Sequence, residues 1–316
     1  MSSTKLLKTA VIGVGYLGRF HAQKHKALAE LCELQAVVDA SSDRAKQVAE
    51  ELGVEAVADY RSLAGKVDAV TVASTTSTHF EISKFFIENG IHVNVEKPMT
   101  VTSQEAEELC QLAEKHNVKL QVGHIERFNP ALIAAQDKIR DPLFIEVSRL
   151  AEFKPRGVDV SVVLDLMIHD LDVILSMVNS PVSSVQSVGT PVITGTDDIC
   201  NARIEFENGC VANVTASRVS KEGQRKFRVF QKDTYMSVDF GAGGVSVITK
   251  TGEGIDPVPL DIENWNLEKG DALLDETRSF LQSIINDEPC VVTGKDGLQA
   301  LQLAETIIAA NESRRR

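Results

Sequence analysis

An α/β fold is predicted: a doubly wound parallel sheet in the N-terminal part, then an α+β domain built on a largely antiparallel open sheet. Three features of the 316-residue chain lead there. Up to residue 123, short apolar runs alternate with amphipathic helical stretches. A glycine-rich turn joins the first strand to the first helix, and past residue 123 strands follow one another with few helices between them. The length exceeds the roughly 100–200 residues of one domain, so two are expected, 1–123 and 124–316.

In the first part the strands are Thr9–Val14, Leu34–Asp39, Ala69–Ala73, His92–Val95 and Lys119–Val122. The helical patterns between them include Arg44–Leu52, Phe80–Asn89 and Ser103–His116. Strands alternating with helices make βαβ units, and right-handed crossovers then cover both faces of a parallel sheet. In the second part, strand Phe144–Leu150 and a strongly apolar helix, Val160–Val178, come first. Strands Cys200–Glu207, Cys210–Ser217, Lys226–Gln231, Tyr235–Phe240 and Val245–Thr249 follow, with Asn208-Gly209 marking a hairpin. Such a sheet has helices on one face, and its other face must be solvated or covered by another subunit. Helices over Asp271–Asn286 and Gly297–Asn311 close the chain.

Composition narrows the function. At 43% hydrophobic and 25% charged residues the chain suits a globular protein with a sizeable core. A net charge of −12 argues against nucleic acid or an anionic membrane as partner, because both need an excess of Lys and Arg. No run reaches the roughly 18 apolar residues of a membrane span. Met1–Lys5 leads straight into a strand and leaves no room for a signal peptide. Cys32, Cys110, Cys200, Cys210 and Cys290 show no CxxC spacing, which suits reduced thiols and gives no support to a metal site. A soluble cytoplasmic protein is expected.

The glycine-rich turn is Gly13-Val14-Gly15-Tyr16-Leu17-Gly18, a G-x-G-x-x-G of the Rossmann type. Its first glycine permits the tight turn, the second lets backbone approach a pyrophosphate, and the third lets helix and strand pack closely. The helix N-terminus, entered through Tyr16 and Leu17, favours the phosphate charge. Asp39 stands about 20 residues on, where a carboxylate accepts both ribose hydroxyls and repels a 2′-phosphate, which favours NAD over NADP. The alternative is an Asp that caps the next helix, a task Ser41 or Ser42 could equally perform. Ser74, Thr75, Thr76 and His79 belong to a hydroxyl-rich run after a strand, which either lines the nicotinamide side of the cofactor or is a loop with an N-cap.

Glu96-Lys97-Pro98 ends another strand, and Pro98 keeps Lys97 out of helical geometry. Ligands of open α/β sheets bind beyond the carboxyl ends of the strands, so Lys97 falls where a substrate oxygen would meet a nicotinamide. On the apolar helix, Asp165, His169 and Asp172 recur at i, i+4 and i+7 and so share one face. Buried charge is costly unless paired, so this stripe is either paired internally or lines a cleft. Arg127 and Asn129 suit phosphate or sugar hydroxyls, Arg offering a planar fork to an anion. Lys154 and Arg156 could add to a diphosphate site or be a solvated loop.

The Gly13–Gly18 turn, Asp39, Glu96-Lys97-Pro98, Arg127-Phe128 and Asp165-x-x-x-His169, in this order over the whole chain, resemble the glucose–fructose oxidoreductase / inositol dehydrogenase / MocA (Gfo/Idh/MocA) family. Residues 122–130 and 154–170 are most similar to its UDP-N-acetylglucosamine 3-dehydrogenase branch. The resemblance implies Lys97, Asp165 and His169 as catalytic set, with Glu96 and Lys97 beside the cofactor. Substrate contacts are expected from Lys97, Arg127, Asn129, Arg156, Asp165 and His169. The resemblance also implies a homodimer or homotetramer through the open face of the C-terminal sheet. Thr75 departs from the proline frequent at that position, and Val158–Leu164 replaces the usual glycine-rich approach to the catalytic helix.

The expected reaction is hydride transfer between a sugar carbinol carbon and NAD. His169 would take the hydroxyl proton with Asp165 supporting the imidazolium, and Lys97 would hydrogen-bond the same oxygen. Lys97 as base is the other assignment. Other polyol or inositol dehydrogenases, an NAD-dependent glycosidase and a non-catalytic NAD(H) sensor are the competing functions.

Overall fold

The computed structural model describes residues 6–155 and 160–315. Two compact units make up the chain. The first runs to Ile125 and takes up Asp271–Leu298; the second comprises Glu126–Gly270 and the chain from Gln299.

In the first unit β1 (Leu7–Ile12), α1 (Tyr16–Ala27), β2 (Cys32–Val38), α2 (Ser42–Leu52), β3 (Glu55–Val57), β4 (Ala69–Val72), α3 (Thr76–Glu88), β5 (His92–Glu96), α4 (Ser103–His116) and β6 (Leu120–Gly123) follow in order. The six strands lie in the order β3-β2-β1-β4-β5-β6, all parallel. Their near-continuous apolar runs, such as the wholly buried Ala69–Val72, are what a sheet covered on both faces requires. Local signals stop and start the helices. Ser41 Oγ accepts from the Arg44 N–H to cap α2, and Gly53 ends it at φ +64°. Thr102 and Glu105 form a reciprocal capping box on α4.

In the second unit α5 (Pro130–Gln136) is capped by Asn129 and has proline at its first turn. It precedes β7 (Phe144–Leu150), a π-helical turn over Val163–Met167, and α6 (Ile168–Met177). Strands β8 (Val182–Thr190), β9 (Ile199–Phe206), β10 (Val211–Ser217), β11 (Gln224–Gln231), β12 (Thr234–Asp239), β13 (Gly244–Lys250) and β14 (Leu260–Asn266) follow. The sheet order is β14-β13-β12-β11-β7-β10-β9-β8, antiparallel except for the β7–β10 pair. One face carries Ile145, Val147, Ala202, Val214, Phe227 and Val229, which pack with Met167, Ile168, Leu171 and Ile174. Each such side chain fully buried contributes about 1.5–3 kcal/mol. The other face presents Glu146, Ser148, Asn201, Arg203 and Asn213, half-buried or exposed.

Two helices end the chain, α7 (Ala272–Ile285) and α8 (Gly294–Arg315). The structure differs here from the contiguous division at residue 123/124. Phe280 and Leu281 of α7 pack with Leu28, Cys32 and Ala69, so α7 completes the first unit's core. An amphipathic helix shows its apolar face in sequence but not the sheet that this face covers. The five cysteines are free and buried. No helix among the described residues is long and apolar enough to cross a membrane.

Candidate active site

The glycine turn of the first unit shows three distinct steric demands. Gly13 has φ +83°, and a Cβ there would lie 2.5 Å from the Ser74 backbone. A Cβ on Gly18 would collide with the Gly13 carbonyl oxygen. Above Gly15 the space is open, an added Cβ meeting nothing nearer than Arg44 Nη1 at 4.0 Å. That combination, a closed turn beneath an open backbone surface at a helix N-terminus, fits a dinucleotide pyrophosphate. A cavity of about 560 Å³ joins this surface to Asp39, Arg44, Ser74 and Thr75. Tyr16, 71% exposed, and Leu17, 39% exposed, stand at the start of α1.

Asp39 does not cap α2. Its Oδ2 accepts the Val14 N–H at 2.9 Å and its Oδ1 the Ser41 N–H at 2.8 Å, tying the end of β2 to the glycine turn. Arg44 Nη1 lies 3.6 Å from the same carboxylate. Ser74 Oγ and Thr78 Oγ1 are 2.8 Å apart, and Thr75 occupies the N-cap position of α3 without a side-chain cap bond. Thr76 is the first residue of α3 and is half-buried.

Two residues expected at the cofactor belong to the interior instead. His79 is 1% exposed, with Nδ1 3.0 Å from the Pro98 carbonyl and Nε2 3.1 Å from the Ser74 carbonyl. Burial lowers its pKa against the pull of these carbonyls. It joins the loop after β4 to the loop after β5, and has no surface left for a ligand. Glu96 is likewise buried, its Oε1 2.7 Å from His21 Nε2 while its Oε2 accepts the Lys97 N–H at 3.1 Å. Lys97 itself is half-buried, just past the end of β5 and followed by a cis peptide to Pro98.

In the second unit the predicted helix Val160–Val178 divides. Asp165 lies inside the π-helical turn and His169 in the first turn of α6, both half-buried. Such turns insert a residue into the helical register and recur at functional sites. The approach to the turn is clamped. Arg218 Nη1 and Thr196 Oγ1 both donate to the Val160 carbonyl, at 2.8 and 3.1 Å, and Arg218 Nε donates to Asp198 at 2.8 Å. Asp172 is fully buried and lies 3.8 Å from Arg127 Nη1, so the stripe is partly paired within the fold. Arg127, whose side chain is 14% exposed, is engaged there. The Asn129 side chain accepts the Ala131 N–H and donates to Glu126 and the Phe240 carbonyl, which commits it to the fold. Lys154 is exposed and lines a cleft of about 740 Å³ with Glu222 and Arg225. Arg156 lies outside the described residues.

The sequence reading missed Arg149, Asp170 and Glu276. Arg149 is buried and engages Asp170 through two bonds and Glu126 at 3.0 Å. Burial works against its charge, but Asp170 and Glu126 outweigh that and raise its pKa. A cleft of about 690 Å³ elsewhere in this unit, lined by Asn179, Ser183, Gln299 and Gln302, has no titratable group on its wall.

Residues 7–124 match the profile of the oxidoreductase family with an NAD-binding Rossmann fold, and residues 146–235 that of the GFO/IDH/MocA C-terminal domain. The UDP-N-acetylglucosamine 3-dehydrogenase of Acidithiobacillus ferrooxidans is 38% identical over 97% of this chain and 98% of that enzyme. The chain belongs to the GFO/IDH/MocA oxidoreductase family. This GFO/IDH/MocA chain is also 28% identical to the scyllo-inositol 2-dehydrogenase (NAD(+)) of Bacillus subtilis, over 97% of its own length and 94% of that enzyme's. A solved structure of the Acidithiobacillus enzyme superposes with a TM-score of 0.91 at 37% identity, covering 98% of this chain and 99% of that one. A levoglucosan dehydrogenase in complex with NADH and levoglucosan shares the fold at a TM-score of 0.89 and 19% identity, covering 98% of each chain. Membership of this family makes the chain an oxidoreductase with a Rossmann fold of the NAD-binding type.

Proposed function

We propose that this chain is an NAD-dependent dehydrogenase of a UDP-N-acetylhexosamine, oxidising the sugar 3-hydroxyl. The observation that carries this reading is the 38% identity to a UDP-N-acetylglucosamine 3-dehydrogenase across nearly the full length of both chains, against 28% for an inositol dehydrogenase. NAD rather than NADP is supported by the Asp39 carboxylate, fixed by two backbone N–H groups at the cavity wall, where it would repel a 2′-phosphate.

Bound NAD would supply the hydride acceptor for this chemistry. The Gly13–Gly18 backbone would hold its pyrophosphate, and Asp39 would accept hydrogen bonds from its ribose hydroxyls. His169 takes the hydroxyl proton as general base, Asp165 steadies the imidazolium that results, and Lys97 donates a hydrogen bond to the same oxygen. Arg156 remains a candidate for the diphosphate. Association through the polar face of the eight-stranded sheet, into a dimer or tetramer, belongs to the same reading, with sedimentation velocity as its measurement.

The deciding experiment follows NADH absorbance with purified protein, NAD and UDP-N-acetylglucosamine. NADH should form, and Lys97→Ala should lower the rate by about 100-fold or more. Formation with inositols but not with the UDP-sugar would overturn the substrate assignment. Glycoside cleavage without net NADH would overturn the reaction.

A further inference from the structure

A polar cluster is sealed inside the first unit, behind Lys97. His21 comes from α1, Glu96 from the end of β5 and Glu276 from α7. All three are buried, and a side-chain nitrogen or oxygen of each lies within 4.8 Å of the others. Glu96 is bonded on both oxygens, to His21 and to the Lys97 N–H. Glu276 Oε1 accepts from Asn94 Nδ2 at 3.2 Å, while its Oε2 and His21 Nδ1 have no hydrogen-bond partner.

We propose that Glu276 is a positioning residue for Lys97, acting through the buried His21–Glu96 pair. The geometry sets the proton count. One imidazolium can balance one carboxylate, and a second carboxylate this close cannot also ionise without a large penalty. Glu96 has the better partners, so Glu96 holds the charge and Glu276 the proton. Burial works against the charge on Glu96, but His21 and then Lys97 outweigh it and lower its pKa. Burial, then the charge of Glu96, lifts Glu276 to about 7. The titratable groups around the cluster are His21 and His25 on α1 and Glu96 and Lys97 at the end of β5. Thr71 of β4 and Gln121 of β6 add neutral polar groups. His25 is held neutral, pushed down to about 3 by burial and by His21.

The consequence falls on Lys97. While Glu276 keeps its proton, Glu96 faces one imidazolium and the Lys97 backbone. Once Glu276 ionises, the cluster carries an unbalanced negative charge, and the Lys97 ammonium, the next charged neighbour of Glu96, is held in its protonated form. Glu276 therefore sets the pH above which Lys97 becomes harder to deprotonate.

That Lys97 serves turnover rests on the function proposed above, so the test reads Lys97 directly. Wild type and Glu276→Gln are reductively methylated with labelled formaldehyde, and Lys97 is followed by peptide mass spectrometry against the exposed Lys66. At about pH 8.5, Lys97 should label about threefold or more faster in Glu276→Gln, with no comparable difference at about pH 6. Equal relative rates at both pH values, in two folded proteins, would overturn the proposal. Wild type alone gives a second reading should the variant not fold. Lys97 labelling should rise less steeply with pH than that of Lys66, and parallel slopes would overturn the idea. The same samples assayed for NADH formation separate the two claims, since inactive wild type with pH-linked labelling would sink only the proposed function.

Discussion

Arg149 grips Asp170 with a two-pronged bond, Nε to Oδ2 at 2.7 Å and Nη2 to Oδ1 at 2.8 Å, one residue beyond His169. The pair is buried and shares Glu126 as a second acid. Removing the guanidinium leaves Asp170 in the core without its bidentate partner, and Glu126 with only Arg225 at 3.7 Å. Arg149→Ala should therefore cost about 3–5 kcal/mol in urea unfolding. Arg149→Lys should recover only part of this, because an ammonium cannot reproduce the fork.

The glycine turn separates folding from binding. Gly18→Ala should lower thermal stability even without cofactor, because its methyl group collides with the Gly13 carbonyl. Gly15→Ala should leave the unliganded melting temperature within about a degree, while NAD affinity falls about tenfold as the methyl group fills the space for a pyrophosphate. Calorimetric titration beside thermal melts reads both.

Asp39→Asn keeps a side-chain oxygen for the turn but loses the charge. The ratio of kcat/KM for NAD to that for NADP should fall by about tenfold or more, since a 2′-phosphate no longer meets a carboxylate and Arg44 stands 3.6 Å from that position. An unchanged ratio would place cofactor choice elsewhere.

Glu276 also leaves a mark on stability. Its acid is raised by burial and by Glu96 to about 7 in the fold, against an ordinary value of 4.5. Its contribution is fully present below 4.5 and is lost as pH rises through about 7, because the unfolded chain sheds the proton first. The amide introduced by Glu276→Gln has no such proton to lose. The melting temperature of Glu276→Gln relative to wild type should rise between pH 5 and pH 8, by about 5 °C for an effect on the order of 2 kcal/mol.

The sequence carried the parallel sheet well because its strands are unbroken apolar runs, and the dinucleotide turn because its glycines answer steric demands that no other residue meets. Strands β8 and β14 escaped notice for the opposite reason. Val182–Thr190 is mostly small and polar, and Leu260–Asn266 is a largely exposed edge without alternation. The π-helical turn has no compositional signal, since it is a shift of hydrogen-bond register. Arg149 could have been found: it falls in phase with Ile145 and Val147, on the buried face of β7, and a charge there demands a partner. Glu276 could not, because one acid on an amphipathic helix reads as solvated until α7 is seen over β5. His79, read in the first turn of a helix, and Glu96, read at the end of a strand, are polar residues near the expected cofactor, but burial gives them loops and backbone to hold.

The return of Asp271–Leu298 to the first unit has a consequence for synthesis. Translation delivers the six parallel strands early, yet Phe280 and Leu281, which cover Leu28 and Ala69, leave the ribosome only after the whole eight-stranded sheet. Until then the nascent N-terminal half carries an uncovered apolar surface and a His21–Glu96 pair without its third member. Holding chaperones therefore have a defined interval in which to act, and a chain released before Asp271 would be their lasting client rather than a smaller working domain.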